Sequence, residues 1–157
     1  MQDRIFRPGG SVGCSVAGTG REGLGIRGVH HVAFAHKGPA VLDALEEVLG
    51  LSCLGPETGP GFVERMFPVG GCAVQTLEVT GPGLVERFVE RRGPALHHLA
   101  FEVDDIDAAL DELKRRGTKL VDDAPRVGGE GARVAFLHPS ACGGLLVELV
   151  EPEREKR

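Results

Sequence analysis

Apolar and polar positions alternate with a period of two over Ile26–Ala35. This predicts a strand with His31, Ala33 and Ala35 on one face and His30, Val32 and Phe34 on the other. Leu42, Leu45 and Leu49 then recur at helical spacing, and Gly50 ends the predicted helix Val41–Leu49. Leu51–Leu54 reads as a short strand and Pro56–Gly61 as a loop of turn-forming residues. Phe62–Val69 and Cys72–Thr80 read as two strands joined at Gly70-Gly71 in a hairpin. The order is β-α-β-β-β. Gly81–Gly93 connects onward through an amphipathic helical turn carrying Leu84, Val85, Phe88 and Val89. The same order then returns. Strand Leu96–Val103 leads into a helix capped by Asp104 or Asp105 and running through Arg116, with Ile106, Ala109, Leu110 and Leu113 on its buried face. Strand Lys119–Asp122, a Gly-rich loop Val127–Gly131, strand Arg133–Leu137 and a last strand Gly144–Val150 follow.

The repetition extends to single side chains. Val29-His30-His31-Val32-Ala33-Phe34 and Leu96-His97-His98-Leu99-Ala100-Phe101 share one pattern at an offset of 67 residues. Glu78 and Glu148, in the last strand of each half, are offset by 70. Near-equal periods of this length mean two copies of one supersecondary unit. The expected fold class is α+β: two tandem βαβββ modules forming a cupped mixed sheet. Module 1 covers about 27–81, a linker helix 82–94 and module 2 about 95–152, so 27–152 form a single domain. Residues 1–26, rich in Gly and Ser, read as a flexible tail, and 153–157 as a charged one.

Charge and composition narrow the function. A net charge of −5 argues against a nucleic-acid partner held by phosphate contacts. No apolar run reaches the roughly 18 residues that span a bilayer, which predicts a protein without a membrane role. The four cysteines are scattered with no CxxC pair, so free thiols in a reducing cytoplasm are expected.

Candidate chemistry comes from the strand faces. His31 and His98 are each followed two residues later by alanine, which leaves space above the sheet. Glu148 interrupts the apolar run Leu145–Val150, where a carboxylate needs a partner or a metal. With the modules side by side, His31, Glu78, His98 and Glu148 converge, and two imidazoles with two carboxylates suit a divalent ion of intermediate hardness. Glu64 lies in the first hairpin strand. A three-residue loop sets it opposite Glu78 on one face, and a two-residue loop sets the two on opposite faces.

At Val29–Ala35, Leu96–Ile106, Gly131–Pro139 and Gly144–Leu149 the chain resembles the vicinal-oxygen-chelate superfamily, and within it the methylmalonyl-CoA epimerase family. The resemblance covers about residues 27–152. It implies a metal site built from His31, Glu78, His98 and Glu148, with Co2+ ahead of Mn2+, Ni2+, Mg2+ or Zn2+. It also implies that Glu64 and Glu148 exchange a proton with C2 of a methylmalonyl thioester, and that Arg133 with the Gly-rich loop closes over an acyl-CoA. A homodimer is expected from symmetry statistics. The competing readings are a lactoylglutathione lyase and a non-enzymatic binding or resistance protein of the same fold.

Overall fold

A computed structural model describes residues 23–153. The expected tails lie almost wholly outside that range. The elements are β1 (Ile26–His36), α1 (Ala40–Asp43, continuing as a π-turn over Ala44–Val48), β2 (Pro56–Gly59), β3 (Phe62–Val69), β4 (Cys72–Val79), α2 (Leu84–Arg92), β5 (Ala95–Val103), α3 (Ile106–Arg115), β6 (Arg126–Val127), β7 (Arg133–Leu137) and β8 (Val147–Glu151). All eight strands form one curled mixed sheet in the order β2-β3-β4-β1-β5-β8-β7-β6. The order reads the same from either edge once the modules are exchanged. β1 and β5 meet antiparallel at the centre, and each is flanked by a parallel partner, β4 or β8. This is the α+β cup of paired modules that the repeat predicts.

The hairpin has the two-residue loop Gly70-Gly71, with Gly70 at a φ of 60° that favours glycine. Its register pairs Glu64 with Leu77 and Val63 with Glu78, so Glu64 and Glu78 point to opposite faces.

The two faces of the sheet are filled differently. On the convex side of module 2, α3 buries Ile106, Ala109, Leu110 and Leu113 against Ala135, Leu137, Val147 and Leu149. The α3 N-terminus is held from two directions. Asp105 accepts a hydrogen bond from the Ala108 N–H at 2.9 Å, and the Glu151 carboxylate accepts one from Ile106 N–H at 3.0 Å. By contrast α1 buries none of its side chains, and Pro39 before it offers no side-chain cap. The linker helix α2 packs on the other face from α3. Its Val85 packs on Ala33, Ala35 and Leu77, which places α2 on the concave side.

Two expected strands move. Leu51–Leu54 stays irregular, joined to β3 by a backbone bond from Leu54 N–H to the Met66 carbonyl, and the edge strand falls at Pro56–Gly59 instead. Proline is tolerated there because an outer edge needs no ladder donor. Lys119–Asp122 is reduced to a single bridge, Leu120 to Leu137, since the Asp122 carboxylate accepts the Phe136 N–H in place of continued ladder pairing.

Candidate active site

The His-His repeats sit at two β-bulges. In the β1–β5 ladder Val29 pairs with Phe101 and His31 with Ala100, so His30 is an extra residue in β1. Farther along, Ala33 pairs with His98 and Phe34 with Leu96, so His97 is an extra residue in β5. A bulge interrupts strict alternation. His30 and His97 therefore line the cup beside His31 and His98, rather than pointing away from it as a period of two requires. The ring nitrogens make pairs: His30 Nδ1 to His31 Nδ1 at 2.8 Å, and His97 Nδ1 to His98 Nδ1 at 2.9 Å.

On the other side of the rings, three donor atoms converge. His31 Nε2 and His98 Nε2 lie 3.0 Å apart, and the Glu148 carboxylate oxygen is 3.2 Å from the first and 3.3 Å from the second. All three residues are buried. Among the described residues they form a group able to hold a metal ion. The chemistry of the donors fits a cation. Two neutral imidazoles carry one N–H each, so protons cannot satisfy all three edges of the triangle. A single cation at its centre satisfies all of them, and the edges match adjacent ligands at bonds of roughly 2.0–2.2 Å.

Electrostatics agree. Burial pushes the Glu148 carboxyl up, but hydrogen bonds from His31 and His98 outweigh it and hold the group at about 2. Burial lowers His98 against the opposing pull of Glu148. Burial, then the neighbouring His31 or His98, takes His30 and His97 each down to about 4. The state at neutral pH is an ionised Glu148 with His30, His97 and His98 held neutral, and a carboxylate with a neutral imidazole is the protonation a metal requires.

The register supplies a fourth member. Across β8, β5 and β1, Glu148, Ala100 and His31 form a row; across β4, β1 and β5, Gln75, Ala33 and His98 form its counterpart. Gln75 is buried, and its Oε1 makes no hydrogen bond. An amide oxygen orphaned on the face of the triangle is the donor that the two-fold arrangement leaves open. Glu78 is not. It lies on the opposite face, where its carboxylate accepts a 2.7 Å hydrogen bond from Arg65. The expected placement of Glu78 in the cluster is thus corrected: Glu78 stands three residues beyond Gln75 in β4, an odd number that turns it to the other face, so position 75 rather than 78 faces the cup.

Glu64 does face the cup, where Gln75 Nε2 donates to its carboxylate at 3.3 Å. Directly across from it in β2 is Glu57, also lining the cavity. Pro56–Gly61 has the sequence of a loop, which hides Glu57 from a strand-face argument. The Gly-rich turn of module 2 closes on this pair. A Cβ on Gly129 would stand 2.7 Å from the Glu64 carboxylate and 3.3 Å from that of Glu57, so only glycine lets the backbone come so near. Arg133 is the second correction. It pairs with Asp107 at 2.7 Å and Glu151 at 3.2 Å, away from the cavity, because its β7 position alternates to the α3 side. Arg126 lines the cavity in its place, with its guanidinium over the Phe136 ring. The cavity measures about 1040 Å³.

Known proteins carry the same architecture. The family model for the glyoxalase/bleomycin resistance protein/dioxygenase superfamily matches residues 30–136. The chain is 35% identical over 118 residues to the Bacillus subtilis protein YqjC, covering 71% of this chain and 81% of that protein. YqjC is an uncharacterized protein. The chain is 42% identical over 60 residues to the mitochondrial methylmalonyl-CoA epimerase of Mus musculus, a match spanning 38% of this chain and 34% of the mouse protein. A Streptomyces coelicolor methylmalonyl-CoA epimerase, solved with 2-nitronate-propionyl-CoA, superposes with a TM-score of 0.78 at 27% identity, over 84% of this chain and 99% of that one. The chain belongs to the glyoxalase/bleomycin resistance protein/dioxygenase superfamily, on the vicinal-oxygen-chelate fold, and its relatives include methylmalonyl-CoA epimerases.

Proposed function

We propose that this protein is a methylmalonyl-CoA epimerase, interconverting the two C2 epimers of its substrate in the cup. The observation that carries the reading is the buried His31–His98–Glu148 triangle, with the unpartnered Gln75 amide oxygen in the matching row of the same face. It supports a divalent ion held by His31, Gln75, His98 and Glu148. Imidazole and oxygen donors mixed in this way lie between the preferences of soft and hard ions, and Co2+ is the ion we assign. When bound, such an ion supplies Lewis-acid polarisation to a chelating acyl substrate.

The remaining work falls to the chain. Inversion at C2 needs a proton taken from one face and returned to the other. In this reading Glu64, with Glu57 beside it, serves one face and Glu148 the other, and the roles exchange with the direction of reaction. Glu148, held at about 2, is a weak base. Glu64, outside the triangle, is therefore the residue whose loss stops turnover while leaving the ion in place. The Gly129 turn approaches the Glu57–Glu64 pair closely. The free thiols Cys53, Cys72 and Cys142 agree with a reducing compartment, and we place the protein in the cytoplasm.

The test is proton NMR of methylmalonyl-CoA in deuterated water with the Co2+-loaded protein. Expected is exchange of the C2 hydrogen and collapse of the methyl doublet, abolished by a chelator. Glu64→Gln should lower the rate by on the order of a hundredfold or more while Co2+ stays bound. No exchange with Co2+ bound overturns the reading, and turnover of a glutathione hemithioacetal in its place assigns the site to a lactoylglutathione lyase.

A further inference from the structure

We infer that Arg87 and Arg91 of α2 form an anion subsite at the rim of the cup that takes the phosphates of the substrate's nucleotide handle. The inference rests on the acyl-CoA reading above.

Four arginines line the cavity: Arg65, Arg87, Arg91 and Arg126. Two are neutralised by carboxylates, Arg65 by Glu78 at 2.7 Å and Arg126 by Asp122 at 3.4 Å. Arg87 and Arg91 have no carboxylate within ion-pair distance among the described residues. They are four residues apart on α2, hence on one face, where like charges repel. In a chain of net charge −5 there is no shortage of acidic residues to pair with them. Arg91 Nε donates to the Arg87 carbonyl at 3.2 Å, which lays the Arg91 side chain back along the helix toward Arg87. Two guanidiniums without carboxylate partners on one face of a helix in the cavity wall are the chemistry of a phosphate site, since each presents a planar fork that matches phosphate oxygens.

Placement fixes which part of a ligand they meet. The inner turn of α2 touches the site, with the Phe88 ring 4.8 Å from that of His97. The floor and the β2–β3 wall are acidic, with Glu148, Glu64 and Glu57. A phosphate is repelled from that end and drawn to the exposed arginines on α2. The cavity, about 1040 Å³, far exceeds a three-carbon acyl group with its carboxylate. A long thioester with its acyl end at the triangle and its phosphates at α2 uses both the volume and the charge gradient.

The test measures binding of CoA and of pantetheine, which lacks every phosphate, to the metal-loaded full chain by titration calorimetry. Variants are R87A/R91A and R87K/R91K; both positions are exposed, so folding is retained. Expected is a loss of CoA affinity on the order of tenfold per arginine in the alanine pair, an unchanged pantetheine affinity, and recovery in the lysine pair to within a few-fold of wild type. Equal losses for both ligands, or no loss for CoA, overturn the subsite. The two readings fail separately. Arginine-dependent CoA binding without C2 exchange sinks the epimerase and keeps the subsite. C2 exchange that is indifferent to R87A/R91A on CoA and pantetheine thioesters alike sinks the subsite and keeps the epimerase.

Discussion

Gln75 and Glu78 differ by three positions and by the face they occupy. Glu78 is the residue that an ion-pair donor already satisfies, on a sheet face away from the triangle. Gln75 is buried with its amide oxygen unpartnered. Gln75→Ala should therefore weaken Co2+ binding by tenfold or more, read from the visible absorption of the bound ion during titration. Glu78→Gln should leave that affinity within twofold and cost about 1 kcal/mol or less of stability, the worth of a partly exposed ion pair. The reverse pattern would put Glu78 in the site. His31, His98 and Glu148 were legible in the sequence because each breaks an apolar strand on the face that a repeat marks twice. Gln75 was not, because a neutral amide in Cys72–Val79 stands out less than a glutamate, and because two strands related by a repeat need not share register to the residue.

Elements were legible where local chemistry and packing agree. The α3 sequence has helical spacing of Ile106, Ala109, Leu110 and Leu113, a capping aspartate before it, and all four side chains buried. Asp105→Ala should cost about 1 kcal/mol in urea unfolding, because the Ala108 N–H loses its partner at a helix end. A change below a few tenths would show that the Glu151 contact to Ile106 suffices alone. Elements defined by a distant partner were less legible. β2 exists because β3 offers it an edge, so a Pro-Glu-Thr-Gly stretch that reads as loop becomes a strand and carries Glu57 into the cup. The bulges at His30 and His97 are of the same kind. Alternation alone sends those rings to the far face, and only the antiparallel pairing of β1 with β5 reveals the extra residue in each strand.

At the scale of the molecule, the two-fold arrangement that builds the site also leaves its back open. α3 covers the convex side of module 2, and the seam between β1 and β5 lies at the centre of the sheet. There Phe34 and Leu96 stand opposite one another, 38% and 42% exposed, with Val29 farther along the same strand at 36%. Large apolar side chains grouped on a sheet face mark an association surface. The seam lies close to the axis that relates the two modules, so a second copy can meet it through the same patch, as closed two-fold dimers do. We therefore expect a homodimer in sedimentation equilibrium. Phe34→Asp with Leu96→Asp should shift the mass to that of a single chain, because facing carboxylates would be buried without partners. Both side chains point away from the cup, so Co2+ binding to the monomeric variant should match wild type within a few-fold. A wild-type protein that sediments as a monomer at micromolar concentration would refute the dimer. A variant that loses Co2+ along with its partner would mean instead that the seam braces the two bulges from behind, tying the assembly to the geometry of the histidines.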